Sequence, residues 1–174
     1  MHPEPSVPNE THPILLRSHR PGDMGWVVER HGALYWQEYG WNEHFEALVA
    51  RIAADFIDRL EPDRERCWIA ERNGERIGCV FLVHDREQAD NSTARLRLLL
   101  LEPSARGLGL GQRLVGQCTH FARSAGYRRI LLWTNSVLDS ARRIYEREGY
   151  RLIAEKPYIA FGKELVSQDW ELLL

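Results

Sequence analysis

The stretch LLLLEPSARGLGLGQRLV, residues 98–115, decides the fold of this chain. A run of leucines, typical of a strand buried on both faces, ends at Glu102-Pro103, and a glycine-rich loop then leads into a helix. Glycine has no Cβ, so the backbone N–H groups beside it can approach a ligand closely. The N-terminus of the helix adds the positive end of a dipole. The stretch therefore predicts an anion-binding cradle between a buried strand and a helix.

Two nucleotide-binding loops use the same physics, and neither fits these residues. A Walker A loop requires Lys and then Ser or Thr after its last glycine, whereas Gln112-Arg113 follow Gly111. A Rossmann loop requires a third glycine where Gln112 stands, and it opens the first βαβ unit of a domain. This loop lies past the middle of the chain. The cradle is therefore predicted to belong to another class of anion site.

Hydrophobic periodicity on both sides of the cradle predicts a mixture of strands and helices. Asn73-Gly74 is typical of a two-residue hairpin turn, and Asp23 and Asn42 are predicted N-caps of helices. The predicted strands cover 14–16, 67–72, 76–83, 94–101, 130–133, 150–154 and 170–174, and the predicted helices cover 24–38, 45–60, 111–125 and 138–148. This order predicts an α/β (α+β) domain in which about four helices flank a mixed central sheet of about seven strands.

Length and composition exclude several classes of protein. The chain has 174 residues, which suits one domain over 14–174, and the proline-rich residues 1–13 are predicted to form a disordered tail. A mean hydropathy of −0.43 argues against a membrane protein, and a formal net charge of −2 argues against a nucleic-acid partner. The three cysteines are widely spaced, which suits a reducing cytoplasm, and neither they nor the histidines show metal-ligand spacing.

Two motifs, standing in the right order, carry a resemblance to a known family. Residues 106–111 read Arg-x-x-Gly-x-Gly after a strand that ends in Leu-Glu-Pro. Downstream, LWTN at 132–135 precedes Ala-x-x-x-Tyr-x-x-x-Gly-Tyr at 141–150. The chain thereby resembles the GCN5-related N-acetyltransferases, the GNAT superfamily, and residues 21–41 are similar to acetyltransferase domains fused to winged-helix regulators. The resemblance implies the GNAT fold and acetyl-CoA as cosubstrate. The scattered histidines and cysteines predict no metal, and we expect a monomer or homodimer.

The resemblance also implies roles for particular residues. The backbone of Leu99, Leu100 and Leu101 would pair with the pantetheine arm of acetyl-CoA, and the Leu101 N–H would polarise the thioester carbonyl. The pyrophosphate would be bound by Arg106, Gly107, Leu108, Gly109, Leu110 and Gly111. Asn135 would bind the pantetheine amides, or else cap the last helix. Tyr145 would be the general acid, or else a core aromatic residue.

The general base cannot be identified from the sequence. The strand before the cradle contains Arg95 and Arg97 where many relatives have a glutamate, and Glu102 lies in a turn before proline. The remaining possibilities are His31, Glu38, Glu43, His44, water or a carboxylate of the substrate. His31, Tyr35 and Glu38 follow at steps of four and three, so they share one face of a helix. We expect this face to form the acceptor site.

Three functions remain open at this point. The first is an acetyl-CoA-dependent N-acetyltransferase that acts directly on a primary amine of a small molecule or peptide. The second is a non-catalytic sensor that binds acetyl-CoA, which the missing strand carboxylate would favour. The third is an enzyme that transfers a longer acyl group from CoA.

Overall fold

The structure is a computed structural model that describes residues 12–174. The strands are β1 (Leu15–Ser18), β2 (Arg66–Arg72), β3 (Glu75–His84), β4 (Thr93–Leu101), β5 (Arg129–Asn135), β6 (Arg151–Ala160) and β7 (Lys163–Leu173). The helices are α1 (Asp23–Tyr39), α2 (Glu43–Arg59), α3 (Leu110–Ser124) and α4 (Asp139–Arg147), and a short 3-10 turn covers Pro103–Ala105. Most of the disordered tail predicted for residues 1–13 lies outside the described residues.

The seven strands form one mixed sheet in the order β1-β2-β3-β4-β5-β7-β6. Among the strands of residues 12–174, β4 and β5 alone pair in parallel, because α3 carries the chain from one to the other, and the other neighbouring pairs are antiparallel. The predicted fold class, a mixed sheet of seven strands with four helices, is confirmed.

Local chemistry explains where the two N-terminal helices begin. The Asn42 side chain accepts a hydrogen bond from the His44 N–H at 3.1 Å, so the predicted cap of α2 is confirmed. The predicted cap of α1 is wrong by one residue, because Gly22 is the N-cap and Asp23 is the first helical residue. The buried Asp23 carboxylate instead accepts hydrogen bonds from Arg17 and Arg76, each at 2.7 Å. These bonds fasten the start of α1 to β1 and β3.

The β2–β3 and β6–β7 hairpins differ in how well the sequence predicted them. Asn73 and Gly74 both have positive φ, of 55° and 76°, as the predicted turn between β2 and β3 requires. The last two strands are twice as long as predicted and meet at Phe161-Gly162, which also have positive φ. Most of β6 is exposed at the edge of the sheet, so it lacks the alternating apolar pattern on which strand prediction depends.

The sheet separates two hydrophobic cores and is itself divided at its centre. Helices α1 and α2 cover one face, and α3 and α4 cover the other. Strands β4 and β5 pair only between Thr93–Arg95 and Arg129–Leu131. Beyond Arg95 the two strands separate, and the space between them positions the candidate site.

Candidate active site

A bulge in β4 accompanies the separation of β4 from β5. The register against β3 shifts between Cys79 and Phe81, which pair with Leu100 and Arg97, and Leu98 has a φ of 52°. From Leu98 onward β4 pairs with β3 alone among the described strands. The backbone groups that β4 turns toward β5 are therefore available to an extended ligand, as at the edge of a sheet.

Two cavities occupy the space between the separated strands. The first, called here the α2 cavity, has a volume of about 110 Å³ and is lined by His31, Tyr35, Phe45, Ile52, Asn135 and Tyr145 among others. The second, called here the loop cavity, has a volume of about 120 Å³ and is lined by Glu38, Leu99, Leu100, Leu101, Arg106 and Ile144 among others. Tyr35, Leu99, Leu138 and Ala141 line both cavities. The two cavities therefore form neighbouring parts of one groove.

The glycine loop lies at the mouth of the loop cavity and precedes α3. Gly107 and Gly109 have φ of 76° and 74°, and a Cβ built on either would meet no atom within 4 Å. Gly109 is the N-cap of α3 and supplies no side-chain cap, so the N–H groups of the first turn remain open to an anion. Between the two glycines, the Leu108 side chain is 56% exposed. This geometry fits a phosphate group.

Two other residues of the loop motif have packing roles. A Cβ on Gly111 would lie 2.5 Å from Cδ1 of Ile144, so this glycine allows α3 and α4 to pack closely. The Leu110 side chain is buried in the core beneath the sheet. Glycine at 111 thus serves helix packing, whereas the positive φ at 107 and 109 shapes the cradle.

The structure divides the predicted acceptor face of α1 between the two cavities. His31 lines the α2 cavity, Glu38 lines the loop cavity, and Tyr35 lies between them and lines both. The Glu38 carboxylate pairs with the Arg106 guanidinium at 2.6 Å. The predicted grouping of His31, Tyr35 and Glu38 in one acceptor site is therefore not what the structure brings together. Glu38 belongs with the predicted phosphate-binding residues.

Asn135 of β5 and Tyr145 of α4 both line the α2 cavity. The Asn135 Oδ1 accepts a hydrogen bond from the Tyr158 hydroxyl at 2.7 Å, and Leu138 rather than Asn135 is the N-cap of α4. The alternative capping role of Asn135 is therefore excluded. Tyr158 was not among the predicted site residues, because the predicted strand ended at residue 154, before Tyr158.

Tyr145 is a core residue, which is one of the two roles that the sequence left open, and it also lies at the candidate site. Its ring is buried in the core, with the Tyr150 ring 5.8 Å away, and the residue also lines the α2 cavity. Burial raises the pKa of the Tyr145 phenol above its ordinary value of 10.0. The hydroxyl therefore keeps its proton at neutral pH and can donate a hydrogen bond into the cavity.

His31 is a weak base in this environment. It is 1% exposed, and its Nδ1 lies 2.7 Å from the Val27 carbonyl oxygen, so Nδ1 carries the proton and donates it. Among residues 12–174 its Nε2 has no hydrogen-bond partner. Burial lowers the pKa of His31 to about 4. An imidazole with this pKa is poorly matched to proton removal at neutral pH.

The other possible bases lie elsewhere. Glu43 and His44 are exposed in the first turn of α2 and line neither cavity. Glu102 forms an ion pair with Arg30, with Oε1 2.5 Å from Nε.

Within the described part of the chain, no cluster of three metal-ligating side chains occurs, and none of the helices has the length and apolarity needed to cross a membrane.

Comparison with known proteins agrees with this geometry. Residues 14–150 match the sequence model of the Acetyltransferase (GNAT) family. Curated relatives include N-acetylaspartate synthetase of Danio rerio, 27% identical over 96 residues, which are 55% of this chain and 33% of that protein. Mycothiol acetyltransferase of Acidothermus cellulolyticus is 29% identical over 153 residues, which are 79% of this chain and 45% of that protein. The chain spans less than half the length of these two relatives.

Solved structures share the fold at low sequence identity. A Salmonella typhimurium acetyltransferase, solved with its cofactor acetyl-CoA, has a TM-score of 0.75 and is 19% identical, with 92% of this chain and 93% of that chain covered. Ribosomal-protein-alanine N-acetyltransferase of Brucella melitensis has a TM-score of 0.74 at 16% identity, with 92% and 99% covered. These likenesses support the fold.

Proposed function

We propose that this chain, which belongs to the acetyltransferase (GNAT) family, transfers the acetyl group of acetyl-CoA directly to the amine of an acceptor. The observation that carries the proposal is the separation of β4 from β5 beside the glycine loop. It leaves one edge of β4 open to an extended ligand whose phosphates the loop fits. The named relatives use different acceptors, so none of them supplies the acceptor of this chain.

We assign acetyl-CoA to the loop cavity and the acceptor to the α2 cavity. The backbone N–H groups around Gly107 and Gly109, with the Arg106 guanidinium, would hold the pyrophosphate of acetyl-CoA. The open edge of Leu99, Leu100 and Leu101 would pair with the amides of the pantetheine arm, as an added strand does. The acceptor would occupy the α2 cavity, where Tyr145 lies, and Asn135, which lines the same cavity, would bind an amide of the pantetheine arm.

The reaction moves one acetyl group and one proton. The neutral amine nitrogen of the acceptor forms a bond to the thioester carbon, the carbon–sulfur bond breaks, and the electron pair of that bond leaves on sulfur as a thiolate. The nitrogen then loses one proton to water, and the thiolate takes one up from water to give CoA thiol. The Leu101 N–H would polarise the carbonyl, and the Tyr145 hydroxyl would donate to the departing sulfur. The ammonium form of the acceptor must first lose a proton. Because burial weakens His31 as a base, water is the proposed acceptor of that proton.

A second candidate function is a sensor that binds acetyl-CoA without turning it over. The observation that favours it is the absence of a carboxylate from the described strand β4, where Arg95 and Arg97 stand. Both functions require the glycine loop to bind acetyl-CoA, so binding and turnover have to be measured separately.

The binding experiment compares two glycines that share a backbone conformation. Gly109 and Gly126 flank α3, have φ of 74° and 84°, and have no atom within 4 Å of a built Cβ. Gly109→Asp adds a negative charge in the proposed pyrophosphate site, whereas Gly126→Asp adds the same charge and similar strain at the opposite end of the helix.

Acetyl-CoA at a hundred times its Kd stabilises a protein by about 2.7 kcal/mol, which is about 5–10 °C in Tm for a chain of this size. We expect wild type and Gly126→Asp to show this shift and Gly109→Asp to lose it. A full shift in folded Gly109→Asp would refute the assignment of the loop. Release of free CoA thiol in the presence of amines then separates the enzyme from the sensor, since the sensor binds and releases none.

A further inference from the structure

The α2 cavity contains a positive charge that the proposed mechanism does not use. Arg95 and Arg97 both line this cavity from β4, the strand on which many members of the family have a glutamate. The Asp85 carboxylate pairs with Arg95, with Oδ2 3.1 Å from Nε and 2.7 Å from Nη2. Within residues 12–174, no carboxylate lies within 4.0 Å of the Arg97 guanidinium. One of the two arginines is therefore neutralised and the other is not.

The bulge in β4 fixes where Arg97 lies. Arg97 pairs with Phe81 of β3, and Phe81 belongs to the core under α1 and α2, so Arg97 stands on the same face of the sheet. The bulge follows at Leu98, where β4 has already separated from β5. The same cavity is lined by Tyr145, whose hydroxyl is proposed to donate a hydrogen bond to the departing sulfur. Arg97 is thus held on a strand beside the proposed reaction centre.

The surroundings of Arg97 favour a bound anion. The charge of Arg97 is partly desolvated by burial and lies near the like charge of Arg95. Both effects lower the pKa of the Arg97 guanidinium. The carboxylates of Asp55, Asp85 and Glu87, which line another cavity together with Arg97, raise its pKa only from beyond 4.0 Å. A guanidinium remains protonated in such a site and offers a planar fork that matches a carboxylate.

We propose that the acceptor is a small molecule that carries a carboxylate as well as its amine, as an amino acid does, and that Arg97 binds this carboxylate. The inference rests on the proposed function and names the substrate class of the same site. A cavity of about 110 Å³ suits a compact molecule, in which amine and carboxylate are a few bonds apart. Arg97 then sets acceptor specificity and takes no part in the chemical step.

The experiment measures kcat/KM for matched pairs of acceptors, namely each common amino acid and its carboxamide, with simple amines and polyamines alongside. The ratio of acid to amide is compared among wild type, Arg97→Gln, Arg97→Lys and the control Arg151→Gln. Arg151 is exposed at the edge strand β6, so its substitution removes an equal charge far from the cavity. The ratio between variants cancels the difference in amine basicity between an acid and its amide, and it also cancels any general loss of activity.

We expect wild type and Arg151→Gln to prefer the acids. In Arg97→Gln the ratio should fall about 10- to 100-fold, which is the value of one charge-assisted contact, while the KM for acetyl-CoA is unchanged. Arg97→Lys, which keeps the charge without the fork, should retain part of the preference. Turnover of amides and polyamines at the rate of the acids, or an unchanged ratio in both Arg97 variants, would overturn this inference alone. Thiol release with none of the acceptors would overturn the proposed transferase as well.

Discussion

Replacing Tyr145 by Phe tests whether its hydroxyl takes part in acetyl transfer. The Tyr145 ring packs between the rings of Tyr150 and Trp170, with centroids 5.8 and 6.4 Å away, and Phe preserves this packing. Within residues 12–174 the Tyr145 hydroxyl makes no hydrogen bond, so the substitution removes none. The variant should therefore fold and bind acetyl-CoA as wild type does, and only the hydroxyl in the α2 cavity is removed.

The size of the effect follows from the environment of the phenol. Burial raises the pKa of Tyr145 above 10.0, whereas an ordinary thiol has a pKa of about 8.5. Complete proton transfer to the sulfur is therefore uphill, and the phenol acts mainly by hydrogen bonding to the developing thiolate. Such a bond to a charged group contributes about 1.5–3 kcal/mol, which corresponds to about 10- to 100-fold in kcat.

The assay is steady-state release of CoA thiol with the acceptor of highest kcat/KM, at saturating acetyl-CoA. Tyr150→Phe is the matched control, since Tyr150 is an equally buried neighbour that lines neither cavity. We expect Tyr145→Phe to lower kcat by the stated factor with the KM for acetyl-CoA within about twofold of wild type. A kcat within twofold of wild type, or the same loss in Tyr150→Phe, would refute the reasoning and leave Tyr145 as a core residue.

Two further predictions concern residues of α1. Glu38→Gln removes the ion pair of Arg106, so the guanidinium should become free to bind phosphate. We expect the KM for acetyl-CoA to fall by up to about fivefold, which is the contribution of an exposed ion pair, and the KM for the acceptor to stay unchanged. A change in the acceptor KM alone would contradict this prediction. Burial lowers the pKa of His31 to about 4, against 6.5 in an unfolded chain, so the native state resists protonation and the free energy of unfolding should fall by up to about 3 kcal/mol from pH 6.5 to pH 4. Urea unfolding of His31→Asn should show a fall in the free energy of unfolding that is smaller by about this amount. A part of the fall should remain, because burial also lowers the pKa of His19. A fall as large as in wild type would exclude His31 as its source.

The sequence predicted which residues share a helix face but could not predict what that face contacts. His31 and Glu38 are seven residues apart, which is about 10 Å along a helix, and α1 runs past both cavities. Periodicity therefore placed them correctly on one face, whereas the distance along the axis assigned them to different cavities. The pairing of Glu38 with Arg106, 68 positions later in the chain, depends on tertiary contacts that no local pattern encodes.

The glycine cradle could be predicted because its chemistry is local. Positive φ at Gly107 and Gly109 is a property for which glycine is the usual residue, and the helix that follows is amphipathic. The long hairpin of β6 and β7 could not be predicted to its full length, because β6 is exposed and its turn, Phe161-Gly162, begins with a phenylalanine at positive φ. Tyr158, whose hydroxyl donates a hydrogen bond to Asn135, lies in the part of β6 that was not predicted.

The bulge at Leu98 connects these observations, and it is the feature least visible in the sequence. A leucine at a φ of 52° is strained by roughly 1–2 kcal/mol, and nothing in ARLRLLLL marks it, since glycine or asparagine is the usual residue there. The surrounding structure must therefore hold it, and the Cys79 thiol donates to the Leu98 carbonyl oxygen at 3.3 Å. Strain of this kind persists where the fold over-determines it, commonly at functional sites. Here the strained residue, Leu98, lies where β4 separates from β5. It stands between Arg97, which lines the α2 cavity, and Leu99, which lines both cavities. One distorted residue therefore connects the proposed acceptor site to the proposed acetyl-CoA site.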